Sequence, residues 1–297
     1  MRLSPVLEQL QTYPFVRLAE AKARLVAEGV DLVDLGAGEP REETPAFIRE
    51  ALVAALEPVS SYPAAEGLPE LREAVAGWAQ KRFGVELDPG TQIVPTLGSK
   101  EAIFSLAQVA GPGAVAVTTP GYPVPERGAL FAGREVIELP LLAENDFLPD
   151  LDALPADGLA ILWLNYPNNP TAATAPRSLY ERAAALARER GFIVASDEAY
   201  SEVYFGDEAP GSALQAGDLT NLLVFNTLSK RSSMPGYRSG FVAGDPELVA
   251  ALKRYRPNVG TAPQAFVQRA GAAAWRDEDH VEAVRATYRA KREVLLP

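Results

Sequence analysis

Short apolar runs alternate with helix-length amphipathic stretches along most of this 297-residue chain. The apolar runs have the length of strands, and strands are therefore predicted at residues 31–35, 91–94, 114–118, 135–139, 160–164, 192–196, 222–226 and 240–243. Helical patterns fall between them at residues 45–56, 68–83, 100–109, 176–190 and 247–255. This alternation predicts an α/β fold with a mostly parallel, doubly wound sheet flanked by helices.

Side chains suited to one particular chemistry follow two of the predicted strands. Lys230 and Arg238 lie in a glycine-containing loop that follows the apolar run at 222–226. Asp197 and Tyr200 follow the earlier apolar run at 192–196. A lysine amine in a partly desolvated site can form a Schiff base with an aldehyde, and an arginine can bind a phosphate. A carboxylate and a phenol suit a pyridinium nitrogen and a ring hydroxyl. Aldehyde, phosphate and pyridinium together describe pyridoxal phosphate.

Composition excludes several other classes of site. The chain has no cysteine and one histidine, so disulfides, thiolate nucleophiles and cysteine-based or multi-histidine metal sites are excluded, and no metal is expected. His280 follows an acidic run and is predicted to be a solvated residue at the start of a helix. The net charge of −11 argues against nucleic-acid binding. No run of 18 apolar residues occurs, so a cytoplasmic protein without a membrane segment is predicted.

Separated motifs resemble, in the same order along the chain, those of the class I/II aminotransferases, which are fold-type-I pyridoxal-phosphate enzymes. The likeness extends from about residue 32 to the C-terminus. The motifs are Gly-Ala-Gly-Glu-Pro at 36–40, Tyr-Pro-Ala-Ala-Glu-Gly at 62–67, Thr-Leu-Gly-Ser-Lys at 96–100, Pro-Gly-Tyr-Pro at 120–123, Asn-Tyr-Pro-Asn-Asn-Pro-Thr at 165–171, Asp-Glu-Ala-Tyr at 197–200 and Asn-Thr-Leu-Ser-Lys at 226–230.

The resemblance implies roles for five residues in the last two motifs and in the loop that follows them. Lys230 would be the Schiff-base lysine and then the base that moves the proton at the substrate Cα. Arg238 and Thr227 would bind the cofactor phosphate. Asp197 would pair with the pyridine nitrogen, and Tyr200 would contact the ring oxygen.

The other motifs are implied to complete the cofactor site. Gly98, Ser99 and Lys100 open a predicted helix whose backbone amides can bind phosphate, as the resemblance also implies. Tyr122 is implied to stack on the cofactor ring. Asn169 is implied to donate a hydrogen bond to the ring oxygen and to contact the substrate. The family has glycine where this chain has Ala172, and alanine would be strained there if the backbone φ is positive.

Two further glycine-containing segments are implied to act outside the cofactor ring. The segment that contains Tyr62 resembles one whose tyrosine reaches the phosphate of the partner subunit, which implies a homodimer with shared sites. The loop that contains Gly38 resembles one that lies near the substrate carboxylate.

The resemblance also predicts how the chain is divided into domains. A large cofactor-binding domain is expected at 32–276, with 1–31 and 277–297 contributing to a smaller, incomplete domain. Residues 277–296 read as one amphipathic helix whose apolar face has no following element to cover it. Family members bind the substrate α-carboxylate with an arginine in the C-terminal part of a longer chain, and this sequence ends before that part.

The function that the resemblance implies is transamination between an amino acid and a 2-oxo acid in amino-acid biosynthesis. The motifs look most like those of enzymes for diaminopimelate or its succinylated precursor, with Arg41 and Lys100 as candidates for reading a second carboxylate. Aspartate or alanine aminotransferases and β-lyases of the same fold remain alternatives. A non-catalytic effector-binding domain is disfavoured, because no DNA-binding segment precedes residue 32.

Overall fold

A computed structural model of the protein describes residues 2–9, 14–34, 36 and 38–296. The chain forms two compact units, Met1–Glu39 and Pro40–Pro297. Each unit is built from a different set of elements, and the larger one contains the whole sheet.

The described part of the first unit contains two helices followed by a segment without regular secondary structure. Helices α1 (Pro5–Gln9) and α2 (Pro14–Ala27) come first. The segment after them is tied back to α2 by an ion pair between Lys22 and Asp34. The strand predicted at 31–35 is wrong for residues 31–34, which belong to no strand or helix, and residue 35 lies outside the described part of the chain.

The second unit is built on one sheet of seven strands in the order β1-β7-β6-β5-β4-β2-β3. The strands are β1 (Ile93–Thr96), β2 (Ala114–Thr119), β3 (Val136–Pro140), β4 (Leu159–Asn165), β5 (Ile193–Asp197), β6 (Leu222–Thr227) and β7 (Gly240–Gly244). Strand β7 is antiparallel to both of its neighbours, and the other pairs are parallel. The predicted, mostly parallel sheet is therefore confirmed.

Helices separate most of the strands along the chain. The helices between strands are α5 (Lys100–Val109), α6 (Val124–Phe131), α7 (Arg177–Arg190) and α8 (Leu228–Arg231). Helices α3 (Ala46–Ala54) and α4 (Pro69–Phe83) precede β1, and α9 (Pro246–Tyr255), α10 (Ala265–Arg276) and α11 (Asp279–Leu295) follow β7. The short helix α8 connects β6 to the loop before β7, and it contains Lys230.

The central strands are buried on both faces, which explains why they read as continuous apolar runs. Every residue of β4 is buried. Since successive side chains point to opposite faces, Leu162 and Leu164 join one core cluster, and Ile161 and Trp163 join the other. The sheet thus separates two hydrophobic cores.

A layer of helices covers each face of the sheet. Helices α4, α7 and α10 contribute side chains to the first cluster, and α5, α6 and α9 contribute to the second. In the first cluster Trp78 packs against Trp275 and Phe241 with ring centroids 4.7 and 5.8 Å apart. The predicted α/β fold with helices on both sides of the sheet is confirmed.

The predicted C-terminal helix is present as α11, and its apolar positions behave differently along its length. Val281 and Val284 are buried, whereas Val294 and Leu295 are 85% and 69% exposed. The first half of the helix is therefore packed against the rest of the second unit, and the last turn presents apolar side chains to solvent.

Candidate active site

One edge of the sheet collects most of the predicted site residues. Strands β2, β4, β5 and β6 are parallel, so their carboxyl ends lie along this edge, where α/β sheets commonly bind ligands. The residues placed there are Tyr122, Asn169, Asp197, Tyr200, Thr227 and Lys230. Strand β7 runs the opposite way and begins here, with Gly240 in register with Thr227.

Lys230 lies in the single turn of α8, which Thr227 caps. The Thr227 side chain accepts a hydrogen bond from the Ser229 N–H at 3.2 Å and donates one to the Ser239 carbonyl at 3.0 Å. The Lys230 Nζ lies 5.6 Å from the centroid of the Tyr200 ring. The cap fixes the turn, so the half-buried lysine is presented beside Tyr200.

Arg238 lies directly over the turn that precedes α5. Its guanidinium donates hydrogen bonds to the carbonyls of Leu97 and Pro235, at 3.1 and 2.9 Å. Gly98 has a φ of +68°, and a Cβ there would lie 2.4 Å from the Arg238 Nη2. The positive φ favours glycine at position 98, and a larger residue there would displace the end of the Arg238 side chain.

The amino terminus of α5 lies next to the Arg238 guanidinium. Ser99 is buried at the N-cap position, and Lys100 is the first, exposed residue of the helix. Glu101 turns back and accepts a hydrogen bond from the Leu97 N–H at 3.2 Å. A positive helix terminus beneath a guanidinium is an arrangement that suits an anion such as a phosphate.

Asp197 ends β5 as a buried carboxylate. Its Oδ1 accepts a hydrogen bond from the Ala199 N–H at 3.2 Å. Burial raises the pKa of Asp197 to about 7. A cation placed against the carboxylate would reverse this shift, because an opposite charge favours the ionised form.

The residues around Asp197 are arranged by hydrogen bonds between neighbouring strands. Asn165 donates to the Asp197 carbonyl at 3.1 Å, and its own Oδ1 accepts from the Asn169 N–H at 3.1 Å. Tyr122, Asn165 and Asp197 line the same small cavity. Burial and the Asp197 charge both raise the pKa of Tyr200, which keeps this phenol protonated as a hydrogen-bond donor.

The loop after β4 keeps the shape expected of a glycine-containing turn although it has alanine. Ala172 has a φ of +60°. Its N–H donates to the Asn168 carbonyl at 2.8 Å, and the Asn168 side chain accepts from both the N–H and the hydroxyl of Thr171. These bonds hold alanine in a left-handed conformation that costs about 1 kcal/mol or more.

Two predicted site residues, Tyr62 and Gly38, lie outside the group of residues described at this edge of the sheet. Tyr62 is fully exposed, and no hydrogen bond or ion pair among the described residues joins it to the rest of the site. Gly38 belongs to the first unit. Their predicted roles stay predictions.

The prediction of a solvated His280 is wrong. The ring is 7% exposed, and its Nε2 lies 2.8 Å from the Ser232 Oγ. Its Nδ1 lies 2.6 Å from the Asp277 carboxylate, and Phe47 packs against the ring. Burial lowers the pKa of His280. The first turn of α11 is covered by α3 and by the chain after Lys230, which the acidic local sequence does not reveal.

Sequence reasoning also missed two buried charged residues that flank the site. Glu198 accepts hydrogen bonds from the Ser196 hydroxyl at 2.9 Å and the Ala213 N–H at 2.8 Å. Arg231 donates to the Ala274 carbonyl at 2.8 Å and forms an ion pair with Glu278. Each directly follows a predicted catalytic residue in the sequence, and this adjacency was the available signal.

Membrane-spanning helices and metal-binding clusters are both absent from the described part of the chain. In residues 2–9, 14–34, 36 and 38–296, no helix is long and apolar enough to cross a membrane. The same residues contain no group of three or more histidines or carboxylates that could bind a metal ion.

Comparisons with known proteins agree with this geometry. The model of the family "Aminotransferase class I and II" matches residues 30–297. An LL-diaminopimelate aminotransferase of Nitratidesulfovibrio vulgaris (strain Miyazaki F) is 42% identical over 99% of this chain and 78% of its own length. An aminotransferase structure from Neisseria meningitidis Z2491 has a TM-score of 0.90 and 38% identity, covering 98% of this chain and 78% of that one. A Thermus thermophilus aspartate aminotransferase with maleate has a TM-score of 0.90 and 32% identity, covering 100% and 80%.

The fold and the matches together define a fold-type-I pyridoxal-phosphate enzyme, and the chain belongs to the class I and II aminotransferase family. It is a pyridoxal-phosphate-dependent aminotransferase, which moves an amino group between an amino acid and a 2-oxo acid. The predicted family, enzyme class and cofactor are confirmed.

The residues at the sheet edge fit pyridoxal phosphate. Arg238 and the amino terminus of α5 offer a cationic corner for the phosphate. Lys230 offers an amine for the aldehyde, and the buried Asp197 offers a carboxylate for the ring nitrogen. Burial raises the pKa of this carboxyl group, and a strongly shifted pKa in a buried acid at a ligand-binding edge is typical of functional sites.

Proposed function

We propose that this aminotransferase uses an amino donor of the diaminopimelate type, either LL-diaminopimelate or its succinylated precursor, in amino-acid biosynthesis. The support is the 42% identity, over 99% of the chain, to a protein named LL-diaminopimelate aminotransferase. The observation that carries the chemistry is the convergence of Lys230, Asp197 and Arg238 on one edge of the sheet.

We propose the following division of labour for binding the cofactor. Arg238, Thr227 and the amino terminus of α5, with Gly98 to Lys100, hold the phosphate. Tyr122 stacks on the ring. When bound, the cofactor supplies an electron sink that stabilises negative charge at the substrate Cα.

The remaining residues orient groups and move the proton. Asp197 holds a proton on the ring nitrogen, since an ion pair at about 4 Å contributes roughly 4 kcal/mol at an effective dielectric of 20. Lys230 would act as the base that accepts the proton from the substrate Cα, and the bound cofactor would supply the carbon to which that proton returns. Asn169 and Tyr200 donate hydrogen bonds to the ring oxygen, and Asn169 and Gly38 also contact the substrate.

We further propose a homodimer in which Tyr62 reaches the cofactor phosphate of the partner subunit. The family resemblance of the segment around Tyr62 supports this proposal, and the exposed Tyr62 side chain is accessible to a second copy. We also propose that residues 32–276 form a large cofactor-binding domain and that residues 1–31 and 277–297 belong to a smaller domain. The proposed location is the cytoplasm, where amino-acid biosynthesis takes place.

The test of the substrate is a comparison of amino donors. Protein loaded with pyridoxal phosphate is assayed with LL-diaminopimelate, its succinylated precursor, aspartate and alanine, each with the same 2-oxo acid acceptor. We expect the highest kcat/KM with one of the two diaminopimelate-type donors. A higher kcat/KM with aspartate or alanine would refute the proposed donor class.

Aspartate is the second candidate donor, and one comparison favours it. The Thermus thermophilus aspartate aminotransferase is 32% identical and covers the whole of this chain. The exposed Arg41 and Lys100 are the cations that we propose bind the second carboxylate of the amino donor, whichever donor is used. If Arg41→Gln and Lys100→Gln both leave the preference for acidic donors unchanged, that role for the two cations is wrong.

A further inference from the structure

Arg256 is a buried cation that lies outside the set of residues proposed to touch the cofactor. It follows α9 and its side chain is 1% exposed. Its Nη1 donates to the carbonyls of Pro95 and Ala65, at 2.6 and 2.8 Å. Its Nη2 donates to the Glu101 Oε1 at 2.8 Å. One guanidinium therefore joins the segment at Ala65 to the segment at 95–101, and both are distant from Arg256 in sequence.

The first arm of this network leads to the phosphate corner, by which we mean Arg238 and the amino terminus of α5 at 98–100, proposed to bind the cofactor phosphate. The Glu101 oxygen that binds Arg256 also accepts the Leu97 N–H at 3.2 Å. The Leu97 carbonyl in turn accepts the Arg238 Nη2 at 3.1 Å. Arg256 thus fixes the turn just before Gly98 from both sides, at Pro95 and through Glu101.

The second arm leads to the segment that contains Tyr62. Arg256 binds the carbonyl of Ala65, and a Cβ at Gly67 would lie 2.4 Å from the Pro95 side chain. The Leu68 N–H donates to the buried Gln268 at 2.6 Å. This end of the segment is therefore packed tightly against the strand that leads to the phosphate corner, while Tyr62 itself is exposed.

We propose that Arg256 is a positioning residue that couples the phosphate corner of its own chain to the segment that presents Tyr62 to a second copy. The inference rests on the proposed function and adds a residue that acts without touching the cofactor. Removing the guanidinium would leave the Glu101 carboxylate and two carbonyls without their shared cation, so both arms would loosen together.

The affinity for pyridoxal phosphate is the quantity that tests this role. Its dissociation constant is measured by the absorbance of the bound cofactor for wild type, Arg256→Gln and Arg256→Lys, with the melting temperature of each apoprotein. We expect Arg256→Gln to raise the dissociation constant on the order of tenfold. Arg256→Lys keeps the charge but not the fork of donors, so it should restore part of the affinity.

Arg254→Gln is the matched control, because Arg254 is an exposed arginine two residues earlier on α9. It should bind the cofactor as wild type does. If Arg256→Gln also binds as wild type does, the positioning role is refuted. If Arg256→Gln does not fold, Glu101→Gln tests the first arm with the same measurement, and wild-type affinity there would refute it. A wild-type protein that fails to bind the cofactor would instead refute the proposed function, and this inference with it.

A double-mutant cycle with Tyr62→Phe tests the coupling between the two arms. If Arg256 acts partly through the Tyr62 segment, the fold-changes of the single variants should not multiply in the double variant. Independent effects, or a Tyr62→Phe variant with wild-type affinity, would refute the coupling.

Discussion

The effect of one added methyl group at Gly98 can be worked out from the geometry of the phosphate corner. Gly98 has a φ of +68°. Forcing an L-residue into this left-handed region costs about 1–2 kcal/mol. The smaller entropy of the unfolded alanine chain offsets about 0.4–1 kcal/mol of that cost. We therefore expect Gly98→Ala to lower the free energy of unfolding by about 1 kcal/mol.

The same substitution should weaken cofactor binding by a separate mechanism. The new Cβ would lie 2.4 Å from the Arg238 Nη2, so the guanidinium must move away. A hydrogen bond to a charged group contributes about 1.5–3 kcal/mol. Losing one such bond to the phosphate should raise the dissociation constant of pyridoxal phosphate about tenfold to hundredfold.

Gly84 provides a matched control that has the same strain without the displacement. Its φ is +70°, and no described atom lies within 4 Å of an added Cβ. Calorimetry of the apoproteins should show similar losses of stability for Gly84→Ala and Gly98→Ala. Absorbance titration with pyridoxal phosphate should show weaker binding for Gly98→Ala alone. Equal dissociation constants for the two variants would refute the placement of Arg238 at the phosphate.

Three further predictions concern single side chains. Lys230→Ala should abolish turnover and the visible band of the lysine-bound cofactor, and full turnover in this variant would contradict the assignment. Burial raises the pKa values of Asp197 and Glu198 to about 7, from ordinary values of 3.8 and 4.5, so the folded apoprotein binds these protons more tightly than the unfolded chain. Its free energy of unfolding should fall as pH rises from about 4 through 7, and in urea titrations Asp197→Asn should flatten that fall, whereas an unchanged slope would contradict the cause. Ala172→Gly should raise the free energy of unfolding by up to about 1 kcal/mol, because φ at this position is +60°, and a loss of stability would show that alanine is not strained there.

Much of the sheet could be predicted because its central strands are buried on both faces. A strand such as β4 is then apolar throughout, and it stands out between amphipathic helices. Residues 31–34 are the exception, because only Leu32 and Val33 among them are apolar and they pair with no strand in the described part of the chain. None of the four is buried, and Val33 is 79% exposed. Two adjacent apolar residues are therefore too short a run to predict a strand of the sheet.

The position of the candidate site also followed from local sequence, whereas its supporting residues did not. Asp197 and Lys230 stand where strands end, and strand ends share one edge of a parallel sheet. The burial of His280 depends on Ser232, 48 residues away. The buried position of Arg256 involves a hydrogen bond to the carbonyl of Ala65, 191 residues away. Contacts over such separations are decided by which elements pack together, and no periodicity encodes them.

The reversed direction of β7 has a consequence for how the site tolerates change. Because β6 and β7 are antiparallel neighbours, the chain between them stays at one edge of the sheet, whereas a parallel pair would need a crossover. Lys230 and Arg238 both lie on this single connection, so its length sets the spacing between the two residues proposed to bind the aldehyde and the phosphate of the cofactor. An insertion between them would change that spacing without disturbing either strand, so the proposed site restricts the length of this connection although the sheet does not.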